Sequence, residues 1–181
     1  MLNRQKNRWS PPDSLKDYSI EQVVAFLHTD LDLAGKKRRD NWNTAAISQL
    51  SLYEKVGARV EGYLIAAKQT GPESCNGKSD SLRDFHIWIG ASPDDTKANG
   101  LIVEMTPYYK ELHPEWRLRY LQALIDRHSK VRVSGWVLWD EEHPEEVGKS
   151  RGSQWEVHPV TKFEVYSGGT WTDLQGEVAE R

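Results

Sequence analysis

The feature that most constrains the fold is residues 130–167, KVRVSGWVLWDEEHPEEVGKSRGSQWEVHPVTKFEVYS. Two strand-like runs, 130–139 and 154–166, flank a loop carrying His143-Pro144, Gly148 and Gly152. In the first run Val131, Val133, Gly135, Val137 and Trp139 share one face, and Arg132, Ser134, Trp136, Leu138 and Asp140 share the other. The second run carries Glu156 and His158, two residues apart and so on one strand face. Pro159 interrupts it and predicts a bulge or an edge.

Upstream, the chain supplies three more strands and a helix. Residues 56–69 form a long first strand with Gly62 inside it, the signature of a bulge or sharp bend. Residues 70–83, TGPESCNGKSDSLR, are a loop by composition. In the second strand, 84–90, Phe85, Ile87 and Ile89 oppose Asp84, His86 and Trp88. In the third, 100–106, Leu101, Val103 and Met105 oppose Ile102, Glu104 and Thr106. A helix follows over 114–128, with Pro114 in its first turn and Leu118, Leu121, Leu124, Ile125 and His128 on its apolar side.

The order strand, strand, strand, helix, strand, strand predicts a mainly β chain. The expected architecture is an OB-fold-like five-stranded Greek-key barrel with a helix between strands 3 and 4 and an N-terminal helical extension. A split sheet in an α+β sandwich is the alternative. Residues 1–50 read as a flexible basic arm and helical extension, 51–167 as the barrel domain, and 168–181 as a C-terminal tail. Within the extension, 19–28 predicts a helix capped by Ser19 and Gln22, with Ile20, Val23, Val24 and Leu27 on one face. The basic run Lys36-Lys37-Arg38-Arg39 lies among Asp30, Asp32 and Asp40 and reads as a solvated face. Residues 41–50 are expected as a second short helix.

Charge and composition narrow the function classes. The 181 residues carry a net charge of −3, which argues against a generic polyanion binder. The charge is uneven: residues 1–10 hold Arg4, Lys6 and Arg8 with no acid, and residues 140–181 sum to −6. The single cysteine, Cys75, excludes an internal disulfide and a multi-cysteine zinc site. It suits a reducing compartment, and the polar N-terminus does not resemble a signal peptide, so a cytoplasmic location is expected. No apolar window is long enough for a membrane span. There is no Walker motif, no G-x-G-x-x-G and no G-x-S-x-G.

Several segments carry a resemblance: EGYL (61–64), GPESCN (71–76), DFHIWI (84–89), the strand around Glu104, VSGWVLWDEEHP (133–144) and RGSQWEVHPV (151–160). Across residues 54–165 the chain resembles a group of uncharacterised bacterial proteins built on an OB-fold-like barrel. In that group a histidine often closely follows the loop cysteine; here Cys75 is followed by Asn76, with Gly77 and Lys78 in place of a histidine. The resemblance implies the fold and the region of a site, not an activity.

The residues that could carry chemistry are Asp84, His86, Glu104, His143, Glu156 and His158, all on or beside expected strands. Imidazole nitrogens with carboxylate oxygens suit a divalent metal, of unknown identity, that would activate water for hydrolysis. Without a metal, His158 paired with Glu156 or Asp84 would be a general base and its orienter. The fifth strand is expected to pair with neither the second nor the third, so these groups would meet only around a barrel end or through loops. His86, Glu104, His143, Glu156 and His158 are therefore the candidate catalytic residues.

The competing class is a binding module. OB-folds bind oligonucleotides and oligosaccharides on the outer face of strands 2 and 3. Asp84, Trp88, Arg132 and Arg151 are its candidate ligand contacts, and single-stranded nucleic acid or another polar polymer is the candidate partner. Trp88 would stack a base if exposed, and is expected instead to pack beneath the N-terminal helix. Arg151 is expected to pair with Glu141, Glu142 or Glu145 in the acidic loop. A non-catalytic interaction scaffold is the third class. Oligomeric state is not readable from the chain.

Overall fold

The computed structural model describes residues 2–25 and 39–175. A short helix, α1 (Leu2–Lys6), opens the chain. It is followed by strand β1 (Lys16–Tyr18), helix α2 (Ile20–Val24) and helix α3 (Thr44–Tyr53). The barrel strands are β2 (Gly57–Gln69), β3 (Phe85–Gly90), β4 (Leu101–Met105), β5 (Lys130–Trp139) and β6 (Trp155–Ser167). Helices α4 (Pro107–Leu112) and α5 (Leu118–Asp126) lie between β4 and β5, and β7 (Thr170–Asp173) ends the described chain.

The strand order is β2-β3-β4-β6-β5, and β5 pairs back onto β2 to close the barrel. This is the OB-like arrangement that the element order predicts. The long first strand serves both halves: residues 57–63 pair with β5 and residues 63–69 with β3. The pairing with β3 is irregular between Leu64 and Ala66, just beyond Gly62. Gly62 itself is fixed by crowding, since a Cβ there would meet the Gly90 carbonyl oxygen at 2.7 Å.

The fifth barrel strand pairs where strand order alone predicts no pairing. β6 runs parallel to β4, with Ile102 opposite Glu156 and Val103 opposite Val157. The fifth barrel strand therefore does pair with the third. The β5–β6 ladder slips on both sides of Gly135, opposite the bend at Pro159, as the proline predicts. A Cβ at Gly135 would lie 2.3 Å from the Pro159 carbonyl oxygen. The His158–Pro159 peptide is cis.

Alternation sorts the strand residues as expected. Ile87, Ile89, Leu101, Val103, Met105, Val131, Val133, Val137, Val157 and Phe163 fill the barrel interior, and Leu121 and Leu124 of α5 join the same core. α5 starts four residues later than predicted, at Leu118, while α4 forms on residues that carried no prediction.

Three peripheral expectations need correction. The N-terminal segment is not a solvated arm. Lys6 is buried, the Trp136 indole N–H donates to the Ser10 carbonyl at 2.9 Å, and the Arg8 guanidinium lies over the Trp136 ring. Nor is Arg39 on a solvated face: it is buried and bonds Glu54 and Glu141. Residues 36–38 of that basic run and residues 26–28 of the expected first helix lie outside the described residues. The start of that helix forms as predicted, with the Ser19–Gln22 capping box in place. Beyond Ser167 the chain turns back as a hairpin. Gly168 and Gly169, at φ +59° and +86°, take the positive angles a two-residue turn demands. β7 then pairs with β6. No helix among the described residues is long and apolar enough to cross a membrane.

Candidate functional site

Strand register brings the candidate residues together on the outer face of β3, β4 and β6. His86 stands directly opposite Glu104 in the antiparallel β3–β4 ladder. Its Nδ1 lies 3.1 Å from Glu104 Oε1. The parallel β4–β6 pairing brings Glu156 and His158 to the other side of Glu104. His158 Nδ1 is hydrogen-bonded to Glu156 Oε1 at 3.1 Å. Glu104 Oε2 is also 3.1 Å from that nitrogen, an ion-pair distance, while the hydrogen bond goes to Glu156. The remaining ring nitrogen, His158 Nε2, faces Asp84 Oδ2 at 3.8 Å. Asp84, Glu156 and His158 are each at most 1% exposed, and Glu104 is 4% exposed. Convergence thus runs through the sheet itself.

An outer sheet face is buried here because three segments cover it. The first is the loop between β5 and β6. Its root residue Asp140 is buried, accepts from Arg151 Nη1 at 2.6 Å and lies 2.8 Å from His143 Nδ1. Gly152 N–H donates to the Gly100 carbonyl and ties the loop's far end to β4. A Cβ on Gly152 would sit 2.8 Å from the Asn99 carbonyl oxygen, so this close approach needs glycine. The second is the loop between β2 and β3, where Asn76 Nδ2 donates to Asp84 Oδ1 at 2.8 Å. The third is α1, which inserts Lys6 with its ammonium 3.5 Å from Glu142 and 4.0 Å from Glu73.

Between them lies a cleft of about 430 Å³ lined by Lys6, Lys68, Glu73, His86, Glu104, Asp140, Glu142, His143, Glu146 and Arg151 among others. That volume falls in the range of small-molecule sites. Seven carboxylates stand in or beneath the cleft: those of Glu73, Glu104, Asp140, Glu142 and Glu146 in its walls, with Asp84 and Glu156 behind them. Three permanent cations, Lys6, Lys68 and Arg151, face them.

Titration behaviour follows from this crowding. Burial disfavours the His158 imidazolium, but Glu104 and Glu156 outweigh it and raise its pKa. Burial raises Asp84, and the nearby Glu104 and Glu73 charges add to that against His158. Burial also acts on Glu104, yet His158 and His86 together hold it well below the usual carboxylate range. For Asp140, burial is overcome by the His143 hydrogen bond and the charges of Arg151 and Lys6, so it stays ionised far into acid. The same bond raises the pKa of His143, whose side chain is 45% exposed at the cleft mouth.

Ten buried side-chain polar atoms have no hydrogen-bond partner among the described residues, and four of them meet here: Asp84 Oδ2, His86 Nε2, Glu104 Oε2 and His158 Nε2, with a fifth, Arg151 Nε, on a residue that lines the same cleft. Each such atom left bare costs about 1–3 kcal/mol, so a group of four in one place points to an occupant. One ligand atom from each of Asp84, Glu104 and His158 lies within 4.8 Å of the other two. Glu156 holds His158 Nδ1 and leaves Nε2 free to ligate, the usual carboxylate–histidine–metal relation.

Not every candidate joins the cluster. Arg132 forks onto Glu164 at 2.8 and 2.9 Å, stacks on Trp171 and does not line the cleft. Trp88 is 3% exposed. It stacks on His86, and its indole N–H donates to the Ser150 carbonyl, so it is packed rather than presented to a ligand. Arg151 pairs internally as expected, but with Asp140, and it is buried rather than exposed. Lys6, Glu73, Asn76 and Asp140 are site residues that the sequence pattern does not predict. Alternation did place Asp140 outward beside Leu138; nothing in the local pattern marked the other three.

No protein-family model, no curated protein and no solved structure matches the chain.

Proposed function

We propose that the chain is a metal-assisted hydrolase of the nuclease or phosphodiesterase kind, with a divalent cation held by Asp84, Glu104 and His158. The observation that carries the reading is the convergence of unpartnered, buried ligand atoms on these three side chains. A hard or borderline divalent ion suits two carboxylates and an imidazole. Such an ion lowers the pKa of a bound water and polarises a phosphoryl oxygen. His86 is suited to take the water's proton: Glu104 fixes its Nδ1 side, and Nε2 is left open on a residue that lines the cleft. His143 is suited to protonate the leaving group. It sits at the mouth, and Asp140 orients it and favours its charged form. Glu156 is a positioning residue that acts through His158.

The test is titration of the metal-free protein with Mn²⁺ and Zn²⁺ by calorimetry, paired with hydrolysis of bis(p-nitrophenyl) phosphate. Saturable metal binding and metal-dependent turnover are expected, with His143→Ala lowering turnover by about 10²–10⁴-fold. Absence of heat above background with both ions defeats the reading. A binding module for single-stranded nucleic acid or another polar polymer is less well supported, because Trp88 is packed and carboxylates outnumber cations in the cleft. Short single-stranded DNA should therefore quench tryptophan fluorescence weakly, and less as salt rises.

A further inference from the structure

We infer that the cleft is built for two divalent ions rather than one, with Asp84 bridging them and Glu73 and Cys75 completing the second position. The inference rests on the metal-site reading above and deepens it.

Two groups of potential ligands occur among the described residues, and they share one residue. Asp84, Glu104 and His158 form the first; Glu73, Cys75 and Asp84 form the second, again with one atom from each within 4.8 Å of the others. Asp84 is completely buried, at the point where the two groups meet. Asn76 fixes its Oδ1 from the same turn that carries Cys75, and its Oδ2 has no hydrogen bond. A carboxylate with one oxygen oriented from the second group and the other facing His158 is placed to bridge ions about 3.5–4 Å apart, the spacing of two-metal hydrolytic centres.

Charge argues the same way. Seven carboxylates against three permanent cations leave an excess of negative charge in and beneath the cleft, which divalent ions would offset. Buried charge without a counter-charge is expensive. Lys6 is a partial substitute. Its ammonium comes no nearer than 3.5 Å to Glu142 and 4.0 Å to Glu73, longer than charge-assisted hydrogen bonds, which leaves Glu73 available as a ligand. The second position differs from the first by its thiol. The Cys75 thiol donates to Glu73 Oε2 at 3.5 Å, so the two side chains already face one another, and a cysteine bound as thiolate would favour zinc or cobalt over magnesium.

The thiol gives the test its readout. The metal-free full chain is titrated with Co²⁺, following heat and near-ultraviolet absorption together. Two equivalents and a thiolate-to-cobalt charge-transfer band are expected. Cys75→Ser should abolish the band and one equivalent while the other binds normally, and Glu73→Gln should weaken the same equivalent at least tenfold. Circular dichroism of both variants checks that they fold. One equivalent with no band overturns the two-ion inference and leaves the hydrolase reading standing. Two equivalents with no band, both insensitive to Cys75→Ser, also overturn it. No binding at all overturns both.

Discussion

Removing the Arg39 guanidinium should unhinge the base of the cleft's roof. Arg39 is 6% exposed and Glu54 is 2% exposed. The guanidinium donates to both Glu54 oxygens, at 2.7 and 2.5 Å, to Glu141 Oε2 at 2.9 Å and to the Trp139 carbonyl at 2.6 Å. Glu54 in turn accepts the Trp139 backbone N–H. The bridge therefore clamps the end of β5, and with it Asp140 and the loop carrying His143. Arg39→Met leaves Glu54 as an uncompensated buried charge, which costs about 3–5 kcal/mol. Because the pair is buried, solvent screening gives little relief. For a chain of this size each kcal/mol moves Tm by about 2–4 °C, so a drop of roughly 6–20 °C follows. Urea denaturation followed by circular dichroism measures the loss directly. The double variant Arg39→Met/Glu54→Leu, which exchanges the pair for apolar contact, should recover more than half of it. A loss under about 1 kcal/mol for Arg39→Met, or no recovery in the double variant, would refute the view that this bridge is a desolvated pair.

Three further outcomes follow from the same geometry. Gly135→Ala should destabilise by at least about 1–3 kcal/mol, because its Cβ would press on backbone at Pro159 and on Val157; differential scanning calorimetry checks this. Asp140 has its folded pKa below its unfolded value near 3.9, so its contribution is present above about pH 4 and lost as pH falls through the more acid range. Asp140→Asn should flatten the acid limb of the stability–pH curve, and an unchanged limb counts against the Asp140–Arg151 and Asp140–His143 contacts. Lys6→Met removes a buried positive charge from beside the cleft, so Mn²⁺ affinity by calorimetry should rise by at least about tenfold, the effect of roughly 1.4 kcal/mol of relieved repulsion. Weaker Mn²⁺ binding in that variant would mean Lys6 shapes the site rather than competes for it.

Much of this protein was legible in its residues. Alternation in β3, β4 and β5 separated the inward Ile87, Val103 and Val133 from the outward His86, Glu104 and Arg132, because a pleated strand sends successive side chains to opposite faces. The order of elements specified a closed barrel with a helix after its third strand, and Pro159 marked the irregularity in the last ladder. Tertiary structure alone decided which outward residues meet. Whether Glu156 and His158 face Glu104 depends on the parallel register of β4 with β6, strands far apart in sequence, and no local period encodes it. The same holds for the roof. Lys6 enters from a polar N-terminal segment and Arg151 from a loop, and both are buried because long-range ion pairs and a close glycine contact hold those segments onto the sheet. Periodicity reports which way a side chain points; only the closed barrel determines what it points at.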